Sequence, residues 1–274
     1  IFPVKIEAYI KNKMLTSVNL NLFLEAKQLS LEILAINNLN HEAWIVYLAD
    51  SIIHNKLKAF EEYQSIFKKK DKPLINYIFF DKINQIKKKN EVALSILEIV
   101  DASILDLKRD SDYNLFLFYL SIANYINPKL NEGYFLSAQI YEKLNNYSKA
   151  EKLYNKIEIN SRLYLDSQRN IALNKNKLGL LNEGETLLLE LNDKYLSDNK
   201  IKIALGDLYR ITKQYEKAIH YYTEALENQN NTFSDYSRVL YMRGISFERS
   251  EKWKLAEKDF LSSLEINPNA PHVL

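Results

Sequence analysis

One pattern recurs three times in the C-terminal half of the chain. A small residue is followed three positions later by an aromatic and twelve positions later by an alanine. A second aromatic comes four positions after that alanine. The sets are Ala138, Tyr141, Ala150 and Tyr154; Gly206, Tyr209, Ala218 and Tyr222; and Gly244, Phe247, Ala256 and Phe260. Units begin at Asn131, Leu165 and Asn199, each 34 residues after the last. A fixed period of this size marks stacked copies of one supersecondary unit, each too small to bury its own apolar face. The Leu165 unit keeps Ala172 but has Lys175 and Gly184 where an aromatic and an alanine are expected. The fourth unit begins at Ser237, four residues late, after the polar stretch Asn228-Gln229-Asn230-Asn231, which reads as a lengthened loop.

The spacing predicts what the unit is. Over Ile201–Lys213 and Tyr215–Asn228 the apolar positions recur at three and four residues, the helical period. Two helices of about 13 residues and a short turn account for the repeat length. Small residues belong where paired helices approach closely, with aromatics in the neighbouring holes. Asn127-Pro128 and Asn267-Pro268 each close a unit, since proline stops a helix. Upstream, His41–Lys56 with Leu57–Lys70 reads as another hairpin, with Trp44 near its start and Phe60 in the usual alanine place. Asn19–Asn37 reads as the second helix of the hairpin before, with Ala26 at the close contact. Asn90–Lys108 with Asp112–Ile126 forms a hairpin in register with Asn131. The two halves differ in register by 22 residues, which makes Lys72–Lys89 an odd helix or a place where residues are missing.

Composition narrows the function. Only 5 Gly and 5 Pro in 274 residues argue against a turn-rich β fold, and a hydrophobic share of 47% is enough for a continuous core. Cysteine is absent, which excludes disulfides, thiolate metal sites and a cysteine nucleophile. His41, His54, His220 and His272 share no metal-ligand spacing, and no phosphate loop or hydrolase motif occurs. Every carboxylate fits a solvated helix face or a helix start. The chain therefore reads as no enzyme, with no cofactor, no metal and no small-molecule substrate. A net charge of +2 disfavours nucleic acid. The runs Lys68-Lys69-Lys70 and Lys87-Lys88-Lys89 read as helix C-termini, where cations complement the dipole. Tyr141, Tyr154, Tyr209 and Tyr222 read as core, and His220 as a solvent-edge residue. No run of 18 apolar residues is present, so a membrane is reached only through an anchor outside this fragment. The chain begins at Ile1 and stops at Leu274 as another helix opens, so it reads as a piece of a longer protein.

The small residue, the aromatics, the alanine and the closing proline at 34-residue period resemble the tetratricopeptide repeat (TPR) family. The resemblance implies an all-α fold, a right-handed superhelical solenoid of antiparallel helix hairpins. It divides the chain into TPR-like hairpins over residues 1–70, an irregular or out-of-register helical segment over 71–96, a regular array over 97–268, and the start of a further, truncated repeat at 269–274. In this family the first helix of each hairpin lines a concave groove, and positions 2, 5, 9 and 12 of each unit face it. These are Glu132, Phe135, Gln139 and Glu142; Asp166, Arg169, Leu173 and Asn176; Lys200, Ile203, Asp207 and Arg210; and Arg238, Tyr241, Ile245 and Glu248. Arg169, Arg210, Arg238 and Tyr241 are the first choices for anchors, because interfaces favour arginine and tyrosine. No repeat offers the lysine and asparagine pair of the family's chaperone-tail clamp.

The last units read Tyr241-Met242-Arg243-Gly244-Ile245-Ser246-Phe247-Glu248-Arg249, then Trp253, then Ala256-Glu257-Lys258-Asp259-Phe260. This run is similar to long bacterial envelope TPR proteins, among them lipoprotein adaptors of a periplasmic carboxyl-terminal processing protease. The similarity implies a scaffold or adaptor in the periplasm or envelope that holds a peptide or protein partner. The alternatives are a cytoplasmic adaptor or regulator and an RNA-binding helical repeat. The RNA reading needs a basic groove, whereas the sixteen groove residues carry four basic and five acidic side chains.

Overall fold

The computed structural model describes residues 2–56, 58–67, 89–104, 110–227 and 235–268. Among these residues every regular element is an α-helix. In chain order they are α1 (Phe2–Asn19), α2 (Phe23–Ile36), α3 (His41–Ile53), α4 (Lys58–Ile66), α5 (Lys89–Ile104), α6 (Asp110–Ile126), α7 (Asn131–Lys143), α8 (Tyr147–Tyr154), α9 (Tyr164–Lys177), α10 (Leu181–Lys194), α11 (Asn199–Ile211), α12 (Tyr215–Glu227), α13 (Tyr236–Arg249) and α14 (Trp253–Ile266). Odd- and even-numbered neighbours pack as antiparallel hairpins. Two compact units result, Ile1–Leu163 and Tyr164–Leu274. The first helices α7, α9, α11 and α13 start at the expected residues or one before them. The loop at 228–231 and the segment 72–88 lie outside the described residues, as do Lys68–Lys70 and 269–274.

The turns inside the hairpins keep the period most strictly. Asn21, Asn55, Asn145, Gly179, Lys213 and Glu251 all have left-handed backbone, with φ between 53° and 81°. Each ends a first helix in the same way. The next residue's N–H reaches back five residues, as from Asn146 to the Tyr141 carbonyl (2.7 Å) and from Gln214 to that of Tyr209 (2.8 Å). The left-handed residue's own N–H reaches back three, as from Lys213 to Arg210 (3.1 Å). This is the Schellman arrangement, and it satisfies carbonyls that the helix leaves open. Asn21 and Asn55 lie 34 residues apart, as do Asn145, Gly179 and Lys213 in succession. The N-terminal hairpins thus share the period of the C-terminal ones, and the 22-residue offset falls between Asn55 and Asn145.

Asparagine tolerates the left-handed region and glycine adopts it freely, but lysine and glutamate do not. Glu251→Gly is therefore expected to stabilise the chain by about 0.5–1 kcal/mol, and Gly179→Ala to destabilise it by a similar amount. Urea midpoints measure both. A lower midpoint for Glu251→Gly would mean that its side chain supports the turn.

The core follows the repeat. A Cβ added to Gly206 would lie 2.5 Å from the Tyr222 ring, and one added to Gly244 would lie 2.6 Å from the Phe260 ring. The small residue of the first helix thus receives the second aromatic of its partner helix. Ala138, Ala150, Ala218, Tyr154 and Tyr222 are fully buried. Tyr141 is only half-buried, with Lys149 over its ring, so it is less of a core residue than expected. The degenerate repeat has its own logic. A Cβ on Gly184 would meet the Ala172 carbonyl oxygen at 2.7 Å, a closer helix approach than alanine allows.

Unit 1 departs from a simple stack. Helix α6 packs against α1 and α3, the first helices of the two opening hairpins. Its Tyr125 ring stacks on Phe23 at 3.7 Å, and its Phe118 and Ile122 join Met14 and Trp44 in one core. Helix α3 is consequently buried on nearly every side, including Ile45, Ala49 and Ile52. A helix apolar all round belongs in the interior of a domain.

Burial raises the pKa of many tyrosines above the usual 10. Tyr63 and Tyr125 are pushed up to about 12, and Tyr209 and Tyr222 further. A raised folded-state pKa means that the folded chain holds the proton more tightly. Their contribution is complete below pH 10 and is lost as pH rises through the folded values. Stability is expected to be level from pH 7 to 9 and to fall steeply above about 10. In an absorbance titration of phenolate, the buried tyrosines should ionise only with loss of helix. Full ionisation near pH 10 in a folded chain would contradict the packing.

Candidate interaction face

The successive first helices of unit 2 are joined edge to edge by ion pairs between equivalent faces. Helix α9 meets α11, and α11 meets α13. Lys200 of α11 reaches Asp166 of α9 at 3.3 Å, and Arg169 reaches the same carboxylate at 2.8 Å. One repeat on, Asp207 of α11 faces Arg210 of its own helix at 3.8 Å and Arg238 of α13 at 3.5 Å. Its other partner comes from the core. The Tyr222 hydroxyl donates to Asp207 Oδ1 at 2.6 Å and accepts from Arg210 Nε at 3.3 Å. Burial first, then Asp207, holds that phenol protonated. The face is thus anchored to the repeat's central aromatic.

Of the groove residues expected in unit 2, all but one are at least partly exposed. Asp166, Arg169, Leu173, Asn176, Asp207, Arg210, Arg238, Tyr241, Ile245 and Glu248 are half-buried, and Lys200 is exposed. Ile203, expected in the groove, is only 5% exposed. It packs into the unit 2 core with Ile201 and Leu205, because α11 is apolar over most of its circumference. In unit 1, Glu132, Phe135, Gln139 and Glu142 of α7 are half-buried; Arg162 reaches Glu132 at 3.3 Å, and Phe135 meets Tyr154 edge-on. A shallow depression of about 390 Å³ lies elsewhere, between Lys175, Asn182, Glu183, Thr186, Leu187 and Glu190.

Among the described residues, two carboxylates do not lie on solvated faces, contrary to the sequence expectation. Asp259 is 4% exposed and takes a two-point contact from Arg243, at 2.7 and 2.8 Å. Asp50, also 4% exposed, pairs with Lys27 of α2 at 2.6 Å and accepts from Tyr125 of α6 at 3.3 Å. Neither was legible, because an acid on a helix reads as solvated until a buried partner is placed beside it. Lys89 is a further correction. It opens α5 rather than closing a helix, and donates to the Ile53 carbonyl at 2.9 Å. His220 behaves as expected, mostly exposed and 3.3 Å from Glu224. Among the described residues no cluster of histidine and carboxylates could hold a metal, and no helix is long and apolar enough to cross a membrane.

The tetratricopeptide repeat family model matches residues 132–157 and 200–232, the α7–α8 and α11–α12 hairpins. These two hairpins are tetratricopeptide repeats. The chain's TPR hairpins are of the same fold as two solved structures. One is the APC/C hetero-tetramer Cut9-Hcn1, at 13% identity and TM-score 0.55, covering 92% of this chain and 44% of that one. The other is BtubC (BKLC) from P. vanneervenii, at 15% identity and TM-score 0.59, covering 71% and 87%. The chain thus spans less than half the length of the first. No curated protein matches the sequence. A TPR array is a scaffold suited to protein–protein interaction.

Proposed function

We propose that this chain is a non-enzymatic scaffold or adaptor that holds a peptide or protein partner on the first-helix face of its TPR hairpins. The observation that carries this reading is the face of α9, α11 and α13. There, half-exposed Arg169, Leu173, Arg210, Tyr241 and Ile245 stand side by side, and two shared carboxylates fix their helices in register. A rigid row mixing arginine, tyrosine and aliphatic groups is what an extended or helical peptide needs for anchoring. Unit 2 suits this role better than the opening hairpins. The equivalent face of α3 is already covered by α6 of the same chain.

The test is site-specific photo-crosslinking in the native host. A crosslinker replacing Tyr241 or Ile245 should capture a defined protein, and one replacing Glu190 on α10 should not. Equal capture from both positions would refute the assignment of the face. The place of action is proposed on sequence resemblance alone as the bacterial envelope, which gives the adaptor an extracytoplasmic partner. Recovery of the full-length protein only in the cytosolic fraction would favour the cytoplasmic adaptor instead.

A further inference from the structure

The left-handed turns at Gly179, Lys213 and Glu251 end α9, α11 and α13 at the same place in each hairpin, so they lie along one edge of unit 2. That edge is where the unit shows its apolar groups. Among the described residues of unit 2, nine large apolar side chains are exposed, and six of them stand within four residues of a turn. They are Leu178, Leu180 and Leu181 at the first turn, Ile211 at the second, and Trp253 and Leu255 at the third. Ile211 and Trp253 are the most open of the six, at 68% and 63%. Exposed apolar residues scattered singly need no explanation, but a row of them at equivalent places does.

Each turn sets cations beside these groups. Lys177 precedes Leu178, Lys213 follows Ile211 by two, and Lys252 and Lys254 flank Trp253. Within four residues of the three turns there are eight Lys or Arg against four Asp or Glu. Asp207 and Glu185 reach in from beyond that span to pair with Arg210 and Lys217, which brings the balance to eight against six. Lys175 is taken up by Glu183, and Lys252 by Glu216. Lys213, Arg249 and Lys254 are exposed and form no ion pair among the described residues. The acids left against them are Glu248 and Glu251. The acids that open the first helices, Asp166, Asp198 and Asp235, lie at the opposite edge. A 13-residue helix such as α11 puts that edge roughly 20 Å away, beyond the reach of screened charges.

We infer that this turn edge rests on an anionic lipid surface. The apolar groups are spread over three turns roughly 10 Å apart, each with its own cation, rather than gathered in one pocket. A protein partner gains most from a packed, water-free centre, which separated turns do not offer. A bilayer interface needs no matched shape. It takes tryptophan at headgroup level, aliphatic side chains just below, and lysines at the phosphates. The run Lys252-Trp253-Lys254-Leu255 supplies all three. Contact of this kind is peripheral and needs no spanning helix. It uses a different surface from the first-helix face and does not depend on that face holding a partner.

The full chain carries its own probe. Of its two tryptophans, Trp44 is buried and Trp253 is open. Vesicles of phosphatidylcholine with about one-third phosphatidylglycerol should shift the tryptophan emission to the blue, and pure phosphatidylcholine vesicles should do so far less. In co-sedimentation with the anionic vesicles, Lys213→Gln with Lys254→Gln should weaken binding about thirtyfold, the equivalent of roughly 1 kcal/mol per lysine. Lys194→Gln, at the opposite edge, should change it less than about twofold. All three lysines are exposed, so the melting temperature should stay level and a loss of binding is not a loss of fold. No blue shift with either vesicle, or equal binding to both, would overturn the inference. So would a loss from Lys194→Gln as large as that from Lys254→Gln alone. Capture of one defined protein by a crosslinker at Ile211, without vesicle binding, would assign the edge to a protein instead.

Discussion

Tyr222→Ala is expected to destabilise unit 2 by about 3–5 kcal/mol, the range for emptying a buried aromatic site. The upper part of that range is favoured by geometry. The ring rests against Gly206, which has no side chain that could move into the space, and Ala218 and Ala225 beside it are equally short. Tyr222→Phe keeps the ring and removes the hydrogen bond to Asp207, which should cost only about 1 kcal/mol. Denaturation midpoints of the two variants separate packing from polarity. A midpoint for Tyr222→Ala within error of the wild type would mean that the central aromatic is not the pillar of the repeat. The Phe variant also tests the link to function. Without the phenol, Asp207 is held only by its arginines, and the node on the first-helix face should loosen.

Asp259→Ala is expected to cost about 3 kcal/mol, the low end for breaking a buried ion pair, since the Arg243 side chain retains 18% exposure. Arg243 grips Asp259 of α14 with two nitrogens and Thr223 of α12 with a third at 3.1 Å. Removing the carboxylate leaves a cation in a site built to neutralise it. Arg243→Met combined with Asp259→Leu should recover most of the loss, because an apolar pair of similar volume suffers no desolvation. A cost below about 1 kcal/mol for Asp259→Ala would place the pair among ordinary surface ion pairs.

These two residues mark the boundary of what was legible. Tyr222 could be placed from the sequence because its role is set by spacing. An aromatic sixteen residues after a glycine, in a 34-residue frame, has one place to go. Asp259 lies one residue from Phe260 in an equally clear frame, yet nothing local distinguishes it from the exposed Lys258. Its burial depends on Arg243, sixteen residues away on the facing helix. Asp50 is the same case, neutralised by Lys27 and Tyr125 from two other helices. The candidate face divides similarly. Its positions are those that the family resemblance implies, and all but Ile203 present a partly exposed side chain. That Asp166 and Asp207 each gather two cations is a matter of distances between helices.

Sequence alone therefore determined the unit: two helices and a turn, the small residue that receives the aromatic, and the first-helix starts of the four C-terminal units to within a residue; the helix expected from Asn19 begins only at Phe23. Those features are written in local periodicity and in side-chain volume, which act within one hairpin. The left-handed turns keep the 34-residue spacing from Asn21 to Asn55 and from Asn145 through Gly179 to Lys213, although Lys213 and Glu251 hid two of them. Tertiary structure decided which faces remain open. Helix α6 folds across α1 and α3, so the first-helix face of the opening hairpins is filled by the chain itself, whereas the face of α9, α11 and α13 keeps partly exposed side chains. That outcome depends on contacts between residues as distant as Asp50 and Tyr125, whose pairing no local period encodes.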